Sequence, residues 1–568
     1  MKHSLIPAAA AAIALLAAAC GPAAPDARSS AALFDRFDYA GADAIYEAHP
    51  LTDAASFHNP ILPGWYSDPS VCTNGEGDYF LATSTFVYFP GVPLFHSRDL
   101  VNWRQIGHIL DRESQLVNLE GQHVSGGIFA PAIAYNPHNR TYYMITTNVG
   151  AGNFFVKTQD PFGAWSDPIP LPTVRGIDPS FFFDEDGRAY IVNNDDAPND
   201  APEYPGHRTI RIREFDVAND CTIGEERILV NKGVRPEEKP IWIEGPHLYK
   251  IDGRYFLMSA EGGTSDWHSE VIFRGDSPLG PFVPWKQNPI LTQRHLDPQR
   301  PDPITCAGHA DLIQAAEGDW WALFLACRPV EGGFENLGRE TFLMPVRWSD
   351  DGFPYLTTGD ELVPVTGRRE GVERSDAPTF GNFAWSDTFD RPTLGMEWVT
   401  LRGPFGRFGS LSEEPGWLLL PCSGESAAQK GVPAFVGRRL QHHAFTASTR
   451  MRFEASDAAN RAGLLLFKNE THHYFLAVGT ADGTKRIALW RAGAEGEDCL
   501  AEAPLPDDAA DFRLEASSAD GRTFAFRYAV GDGDWQLLCD GVDARYLSTA
   551  EAGGFTGTVV GPYAVRME

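Results

Sequence analysis

The sequence predicts an all-β protein of two consecutive domains, and three observations support this fold class. The 568 residues exceed the length of one ordinary domain. The 55 glycines, 42 prolines and 12% aromatic residues suit short strands and tight turns better than long helices. A hairpin unit recurs five times before residue 366, and a different pattern of alternating strands follows from residue 383. We therefore expect a repeat domain followed by a second β domain.

Residues 1–20 predict a lipoprotein-type signal peptide. Lys2 and His3 precede an apolar run that is too short to span a membrane and that ends at Cys20. Residues 16–20 (LAAAC) resemble a bacterial lipobox, in which the cysteine is acylated after cleavage; an ordinary signal peptide is the alternative. Residues 21–56 are interpreted as a tether and an N-terminal extension. We expect an exported protein, either periplasmic or anchored at the outer membrane, that meets the membrane only through a lipid on Cys20.

Residues 57–366 predict a five-bladed β-propeller that carries the catalytic site. An aromatic residue marks the second strand of each recurring hairpin, and the intervals between successive markers suit four-stranded propeller blades. The five markers are Phe80, Tyr143, Tyr190, Phe256 and Trp321.

A short motif precedes each marker and places a polar side chain in four of the five units. Asp68, Asp178, Glu244 and His309 each precede their marker by the same interval, and Ala130 precedes its own by one position more. We interpret these five positions as structurally equivalent. Because equivalent positions at the start of the innermost strands surround one axis, the four polar groups are expected to converge on one pocket.

Three carboxylic acids in one pocket favour hydrolysis of a glycosidic bond. That reaction requires one protonated acid to release the leaving oxygen and one ionised carboxylate on the other face of the sugar. Asp68 and Glu244 are the candidates for base and acid, since the apolar residues before Glu244 would raise its pKa by desolvation and Asp178 would add a like charge. The residues alone do not separate the role of Asp178 from that of the base. A single Asp-Pro-Ser is more often a turn or cap, but three carboxylates at one repeat position favour function.

Further side chains are candidates for binding the substrate. His309 is interpreted as a hydrogen-bonding group of the pocket or as a ligand of a central water or cation, with a satisfied buried histidine as the alternative. Arg339 is expected to contact the substrate, with a salt bridge as the alternative. Aromatic side chains suit a sugar subsite, although the same residues could be blade core. They are Trp65, Phe86, Phe129 and Trp242.

The rest of the chain is a linker and a second domain. Residues 367–382 are charged and contain Gly and Pro, which indicates a linker, and residues 383–568 predict a β-sandwich of the jelly-roll, concanavalin-like type. The formal charge of −29, from 47 basic and 76 acidic side chains, argues against a nucleic-acid partner because phosphate contacts require a basic surface. A neutral oligosaccharide is compatible with that charge.

With these motifs assembled, the chain resembles glycoside hydrolase family 43, in particular the two-domain β-xylosidase and α-L-arabinofuranosidase group with a C-terminal sandwich. The resemblance covers nearly all of the chain from residue 57. It implies an inverting mechanism in which Asp68 is the general base, Glu244 the general acid and Asp178 the residue that tunes the pKa of the acid and orients it. It also implies that Arg339 contacts sugar hydroxyls and that His309 lies near a calcium ion on the propeller axis, which some members hold for structure or electrostatics. No cofactor is required for hydrolysis.

Two departures from the family pattern concern the walls of the sugar site. Phe129 stands where the family usually has tryptophan, and Val559 stands where a second phenylalanine of a sandwich loop reaches the active site in β-xylosidases of this group. The choice between xylose and arabinose is therefore open.

We expect an exo-acting inverting hydrolase that removes terminal β-D-xylosyl or α-L-arabinofuranosyl residues, or both, from xylan, arabinoxylan or xyloglucan oligosaccharides. One alternative is a non-catalytic, carbohydrate-binding surface lipoprotein. The other is a retaining hydrolase of fructan or sucrose, whose W-x-N-D-P-N-G sequence is absent because Ser67 stands at the asparagine position.

Overall fold

The computed structural model describes residues 31–567, so the predicted signal peptide and Cys20 lie outside the described residues. The described chain begins with β1 (Ala31–Gly41), α1 (Ala44–Ala48) and β2 (Ser56–His58). β1 alternates buried and more exposed side chains, and it pairs with residues 384–387 and 445–452 of the second domain. Residues 31–41 are therefore a strand of the sandwich. The prediction of an extension ahead of the first blade was wrong for this segment, because its partners lie beyond the whole propeller along the chain.

Five sheets then form the five-bladed propeller that the repeats predicted. The first blade contains β3 (Ser70–Thr73), β4 (Tyr79–Ala82), β5 (Tyr88–Phe89), β6 (Gly91–Ser97) and β7 (Arg104–Leu110), of which β5 lies outside the blade sheet. The second contains β8 (Ala132–Asn136), β9 (Thr141–Asn148), β10 (Gly152–Thr158) and β11 (Ile169–Pro170). The third contains β12 (Ile177–Phe183), β13 (Ala189–Asp196), β14 (Arg208–Asp216) and β15 (Cys221–Asn231). The fourth contains β16 (Glu244–Ile251), β17 (Arg254–Glu261), β18 (Ser269–Gly275), β19 (Val283–Pro284) and β20 (Leu291–Thr292). The fifth contains β21 (Thr305–Gln314), β22 (Trp320–Cys327), β23 (Glu340–Pro345), β24 (Arg347–Trp348) and β25 (Pro354–Tyr355), and β26 (Thr366–Arg368) ends the domain.

The five marker aromatics lie on the second strand of each blade, as expected. Tight turns at Gly187 (φ 87°) and Gly253 (φ 74°) make the hairpins, because glycine adopts positive φ at little cost. Apolar side chains from neighbouring blades pack face to face, and these clusters form the propeller core.

Buried polar bonds close the ring of blades. Asp311 of the fifth blade accepts hydrogen bonds from Ser70 Oγ (2.8 Å) and Val71 N (2.9 Å) of the first blade and from Tyr249 Oη (2.6 Å) of the fourth. β2 pairs with β26, which joins the start of the propeller to its end. The innermost strands are thereby held in fixed positions around the axis.

The second domain is a β-sandwich of two antiparallel sheets. Its strands are β27 (Ala384–Asp387), β28 (Trp398–Leu401), β29 (Leu418–Pro421), β30 (Ala434–Phe435), β31 (Gly437–Arg439), β32 (Phe445–Arg452), β33 (Asn460–Asn469), β34 (His472–Ala481), β35 (Thr484–Gly493), β36 (Gly496–Pro504), β37 (Asp511–Ser518), β38 (Thr523–Val530), β39 (Gln536–Asp543) and β40 (Val559–Arg566), with α2 (Thr549–Ala552) before the last. One sheet runs β27-β1-β32-β37-β38-β39, and the other runs β36-β35-β34-β33-β40-β31-β28-β5. Their facing sides form the largest apolar cluster of the described chain.

The two domains share a continuous interface. β5 belongs to the propeller by sequence but pairs with β28, so the first blade contributes a strand to a sandwich sheet. Trp65, Phe86 and Tyr88 of the propeller pack with Phe435 and Val559 of the sandwich in one buried cluster. Among residues 31–567, no helix has the length and apolar character that crossing a membrane requires.

Candidate active site

The polar residues that begin the innermost strands share an unusual backbone conformation. Asp68 (φ 56°), Asp178 (φ 52°) and His309 (φ 50°) are all left-handed, a conformation that costs a non-glycine residue of the order of 1 kcal/mol or more and that is concentrated at functional sites. In the fourth blade the left-handed residue is Gly245 (φ 54°).

Strand pairing corrects the expectation that Glu244 is equivalent to the other three. In each of these four blades, the marker aromatic on the second strand pairs with a residue on the first strand. The left-handed residue lies four positions before that first-strand residue. The pairs are Cys72↔Phe80, Phe182↔Tyr190, Tyr249↔Phe256 and Ile313↔Trp321. Gly245 therefore occupies the position of Asp68, and Glu244 precedes it by one residue. The β16–β17 hairpin is one residue shorter than the others, and the constant interval counted along the sequence hides that difference.

One cavity of about 450 Å³ nonetheless brings most of the predicted residues together. Its wall includes all three carboxylates, His309, Arg339, Phe86 and Phe129. The remaining wall residues are Ala130, Ile177, Arg208, Trp242, Gly263, Thr264 and Phe555.

Asp68 is held as an ionised carboxylate. Its Oδ1 lies 3.2 Å from Arg339 Nη1, and its Oδ2 accepts a hydrogen bond from Ser84 Oγ at 2.6 Å. Burial alone would raise the pKa of Asp68, but the Arg339 charge and the other polar contacts outweigh it and hold that pKa below its ordinary value. His309 Nδ1 lies 3.6 Å from Asp68 Oδ1, and because burial lowers the pKa of His309 to about 4, the permanent positive charge comes from Arg339.

Glu244 is held as a protonated acid. It is 7% exposed, and burial together with the nearby Asp178 charge raises its pKa well above the ordinary value. Burial, followed by the charge of Asp68, raises the pKa of Asp178 to about 7. Asp178 Oδ2 accepts a hydrogen bond from Gly245 N at 3.1 Å, which fixes the peptide next to Glu244. Asp68 and Glu244 therefore hold opposite protonation states near neutral pH, as an acid–base pair requires.

Three phenylalanines form an aromatic wall, and one of them comes from the sandwich. Phe555 stacks on Phe86 (centroids 5.9 Å apart, 27° between planes) and meets Phe129 edge-on at 5.9 Å. The Arg339 guanidinium lies 5.2 Å from the Phe555 centroid. Val559, the position at which the family pattern places such a side chain, is instead buried in the interdomain cluster. The sandwich loop therefore supplies an aromatic side chain to the cavity four positions earlier than the family pattern indicates.

Hydrogen bonds from both domains hold the loop that carries Phe555. Phe555 N donates to Ser125 Oγ at 2.9 Å, and the buried amine of Lys468 donates to Thr556 O and to Thr549 Oγ1. A Cβ on Gly338 (φ 76°) would lie 2.6 Å from Gly557 N, so only glycine allows the two loops to approach this closely.

Trp65 does not line the cavity, and its prediction as a subsite residue was wrong. Its exposed fraction is 0%, and its ring lies between Tyr88 (centroids 4.8 Å apart) and the guanidinium of Arg439 (4.2 Å). The segment that carries Asp68 turns this side chain toward the sandwich, so it belongs to the interface.

Arg208 is a wall residue that the sequence analysis missed. It lies on β14, pairs with Asp196, and places its guanidinium 4.8 Å from the Trp242 centroid. Its positive charge counteracts the raised pKa of Glu244. No repeat motif marks β14, so no sequence signal distinguished Arg208 from a surface arginine.

The residues around His309 do not fit a calcium ion bound by the protein. Calcium takes six to eight oxygen ligands, whereas His309 offers a nitrogen and the Asp68 oxygens already contact Arg339 and Ser84. Among residues 31–567, no group of three or more His, Cys, Asp or Glu side chains is arranged to hold a metal.

The fold and the paired carboxylates define a propeller-type glycoside hydrolase whose cavity is completed by a sandwich. Comparison with known proteins identifies the family. Residues 57–354 match the model for glycosyl hydrolases family 43, and residues 386–568 match the β-xylosidase C-terminal concanavalin A-like domain. The chain belongs to glycosyl hydrolase family 43, which decides between an enzyme and a non-catalytic binding protein in favour of the enzyme.

Several relatives match over most of their length. A xylosidase/arabinosidase of Butyrivibrio fibrisolvens is 37% identical over 89% of this chain and 95% of its own. A non-reducing end α-L-arabinofuranosidase of Bacteroides ovatus is 34% identical over 90% of this chain and 91% of its own. The crystal structure of a GH43_12 protein retrieved from a capybara gut metagenome superposes with a TM-score of 0.87, at 41% identity, over 95% of this chain and 100% of that chain.

Proposed function

We propose that this hydrolase removes terminal β-D-xylosyl or α-L-arabinofuranosyl residues, or both, from the non-reducing ends of xylan, arabinoxylan or xyloglucan oligosaccharides, by a single displacement with inversion. The observation that carries the proposal is that Asp68, in contact with Arg339, and the buried Glu244 line one cavity, where these surroundings shift their pKa values in opposite directions. The names of the relatives support the sugar class. A cavity of about 450 Å³ closed on one side by Phe555 favours a chain end over the middle of a polymer.

In the proposed reaction, Glu244 donates its proton to the glycosidic oxygen while Asp68 accepts a proton from the water that attacks the anomeric carbon. Asp178 holds the peptide after Glu244 and raises the pKa of the acid. Arg339 keeps Asp68 ionised and lines the cavity, where sugar hydroxyls can accept hydrogen bonds from its guanidinium. The aromatic wall of Phe86, Phe129 and Phe555 excludes water from the other side of the sugar.

The test uses the protein without residues 1–20 on p-nitrophenyl β-D-xylopyranoside, α-L-arabinofuranoside and α-L-arabinopyranoside, and on the matching oligosaccharides. We expect hydrolysis of one or more, with the inverted anomer as the first product by NMR. Asp68→Ala should lose activity on every substrate. Glu244→Ala should lose oligosaccharide hydrolysis by about 100-fold or more but retain more on p-nitrophenyl glycosides, whose leaving group needs little protonation. Turnover with a retained anomer, or full activity of either variant, would contradict the proposal.

We further propose that the protein is exported and anchored through a lipid on Cys20. The apolar run and the lipobox-like residues 16–20 support this. Expression of the full chain with labelled palmitate should label the protein and bring it into the detergent phase, and Cys20→Ser should abolish both. Equal partitioning of the two forms into the aqueous phase would refute the anchor.

A further inference from the structure

A buried arginine of the sandwich, Arg439, contacts the propeller segment that carries Asp68. Its Nε donates a hydrogen bond to Trp65 O at 3.0 Å. Its guanidinium lies 4.2 Å from the Trp65 ring centroid and 4.4 Å from that of Tyr66. The residue is 2% exposed. One side chain of the second domain thus binds both the backbone and the two aromatic faces of residues 65–66.

This guanidinium is buried without a carboxylate partner among the described residues. Burial lowers the pKa of Arg439, and contacts with Tyr66 and Tyr88, including a side-chain hydrogen bond with Tyr66, offset part of that shift. Burying a cation without a carboxylate partner has a desolvation cost, and a backbone carbonyl with two aromatic faces offsets part of that cost. Arg439 therefore holds residues 65–66 at the cost of desolvating its own charge.

The segment between Pro63 and Asp68 is bonded on both sides. From the sandwich, Gln441 Nε2 donates to Pro63 O at 3.0 Å, beside the Arg439 bond to Trp65. From the fifth blade, Glu340 Oε1 accepts a hydrogen bond from Gly64 N at 2.7 Å, and Thr341 Oγ1 donates to Tyr66 O at 2.5 Å.

Asp68 follows this clamped segment after a single intervening residue, Ser67, and holds a left-handed conformation that costs free energy in a non-glycine residue. A shift of the Trp65 peptide therefore moves the Asp68 carboxylate relative to the cavity.

We propose that Arg439 is a positioning residue for the general base, through which the sandwich fixes the place of Asp68 against the water that it activates. The proposal rests on the proposed roles of Asp68 and Glu244. It assigns the second domain a part in water activation that is separate from the Phe555 wall.

The test compares Arg439→Met and Arg439→Lys with a matched control, Arg461→Met. Arg461 also stacks on a tryptophan, with its guanidinium 3.9 Å from the Trp490 ring centroid, but it lies on a sandwich strand, is partly exposed and pairs with Glu497. kcat and KM are measured on an oligosaccharide and on a p-nitrophenyl glycoside of the same sugar, and the melting temperature is measured for each variant.

We expect Arg439→Met to lower kcat by about 10- to 100-fold, the range that follows from a misplaced reacting group. The factor should be the same on both substrates, because a better leaving group relieves the need for an acid but not for a base. Arg439→Lys keeps a donor for the Trp65 carbonyl, so its kcat should fall less than that of Arg439→Met. If the methionine variant fails to fold, the kcat of the lysine variant tests the proposal. Arg461→Met should keep kcat within about 2-fold, since it changes nothing near residues 63–68.

Three results would overturn the proposal: a kcat of both Arg439 variants equal to that of Arg461→Met, a change in KM alone, or a loss that disappears on the p-nitrophenyl glycoside. The last result would place the defect at Glu244. Absence of hydrolysis by the unsubstituted protein would refute the proposed function itself, and the role of Arg439 with it.

Discussion

Replacing Asp178 by asparagine tests the order in which the three carboxyl groups of the cavity lose their protons. Asp68 ionises first because Arg339 lowers its pKa, Asp178 follows with a pKa of about 7, and Glu244 is last because burial and the Asp178 charge both raise its pKa. Above pH 7, the charge of Asp178 therefore keeps Glu244 protonated. Asparagine removes this charge and retains an oxygen that can accept the Gly245 N–H.

The expected result is a bell-shaped pH profile of kcat/KM whose alkaline limb moves to lower pH. A like charge at a buried neighbouring carboxyl accounts for about 1 to 2 pH units, equal to about 1.4 to 2.7 kcal/mol. The acidic limb should move much less, because Asp178 is still protonated in the range where Asp68 ionises. The three carboxyl groups titrate together, so the measured quantity is the direction and size of the shift of each limb.

The assay measures kcat/KM on an aryl glycoside across the acidic to alkaline range. Asp184→Asn is the matched control: Asp184 is a buried carboxylate of the same hairpin, but it accepts hydrogen bonds from Tyr255 Oη (2.6 Å) and Lys250 Nζ (3.1 Å) on the neighbouring blade and does not line the cavity. Its removal should leave both limbs in place. An alkaline limb that stays fixed or moves to higher pH in Asp178→Asn would refute the assignment of Asp178 as the residue that raises the pKa of Glu244.

Three further predictions test the aromatic wall of the cavity, the contribution of strand β1 to stability and the need for a metal ion. Phe555→Ala should raise KM about 10-fold with a smaller change in kcat, because it removes one aromatic face from the sugar site, which steady-state kinetics will show. Phe37→Ala, on a wholly buried position of β1, should lower the free energy of unfolding by about 3 to 5 kcal/mol in urea denaturation. Dialysis against EDTA should leave kcat/KM unchanged, since the residues at His309 do not fit a calcium ion.

Each of these predictions has a control and a contradicting outcome. For the wall, Phe405→Ala changes a sandwich phenylalanine that does not line the cavity, and an equal KM effect in both variants would argue against a subsite role for Phe555. For the first strand, the neighbouring exposed side chain is removed in Arg36→Ala, and a Phe37 effect as small as that of Arg36 would mean that β1 is dispensable. For the metal, activity lost to EDTA and restored by added calcium would show a functional ion.

Much of the site could be predicted because residues at the same position within successive repeats lie at equivalent places around the propeller axis. Asp68, Asp178 and His309 precede hairpins with the same pairing offset, so a constant interval to the marker aromatic located all three. The same reasoning placed Glu244 one residue out of register. The hairpin of the fourth blade is one residue shorter than the others, and the sequence pattern around it does not reveal that difference.

What could not be predicted depends on contacts between distant segments. Trp65 lies in the same motif as Asp68, yet its side chain is buried against the sandwich, and sequence proximity to a catalytic residue does not reveal on which side of the strand a ring lies. Phe555 and Arg208 reach the cavity from elements that lie outside the recurring motif. β1 has clear strand periodicity, but its partners can be identified only once the sandwich is assembled.

The position of β1 also has a consequence for how the protein folds. This strand lies in the interior of its sheet between β27 and β32, so the sandwich encloses a segment that is synthesised before the entire propeller. Its pairing closes a loop that contains all five blades. Such a contact forms late, because the chain loses the entropy of the loop before the new contacts stabilise it. The propeller is thus an insertion within the sandwich, and the two domains are not simply consecutive along the chain. A chain that stops before residue 445 lacks β32 and leaves one edge of β1 unpaired, so the first of the described strands completes its pairing only late in synthesis.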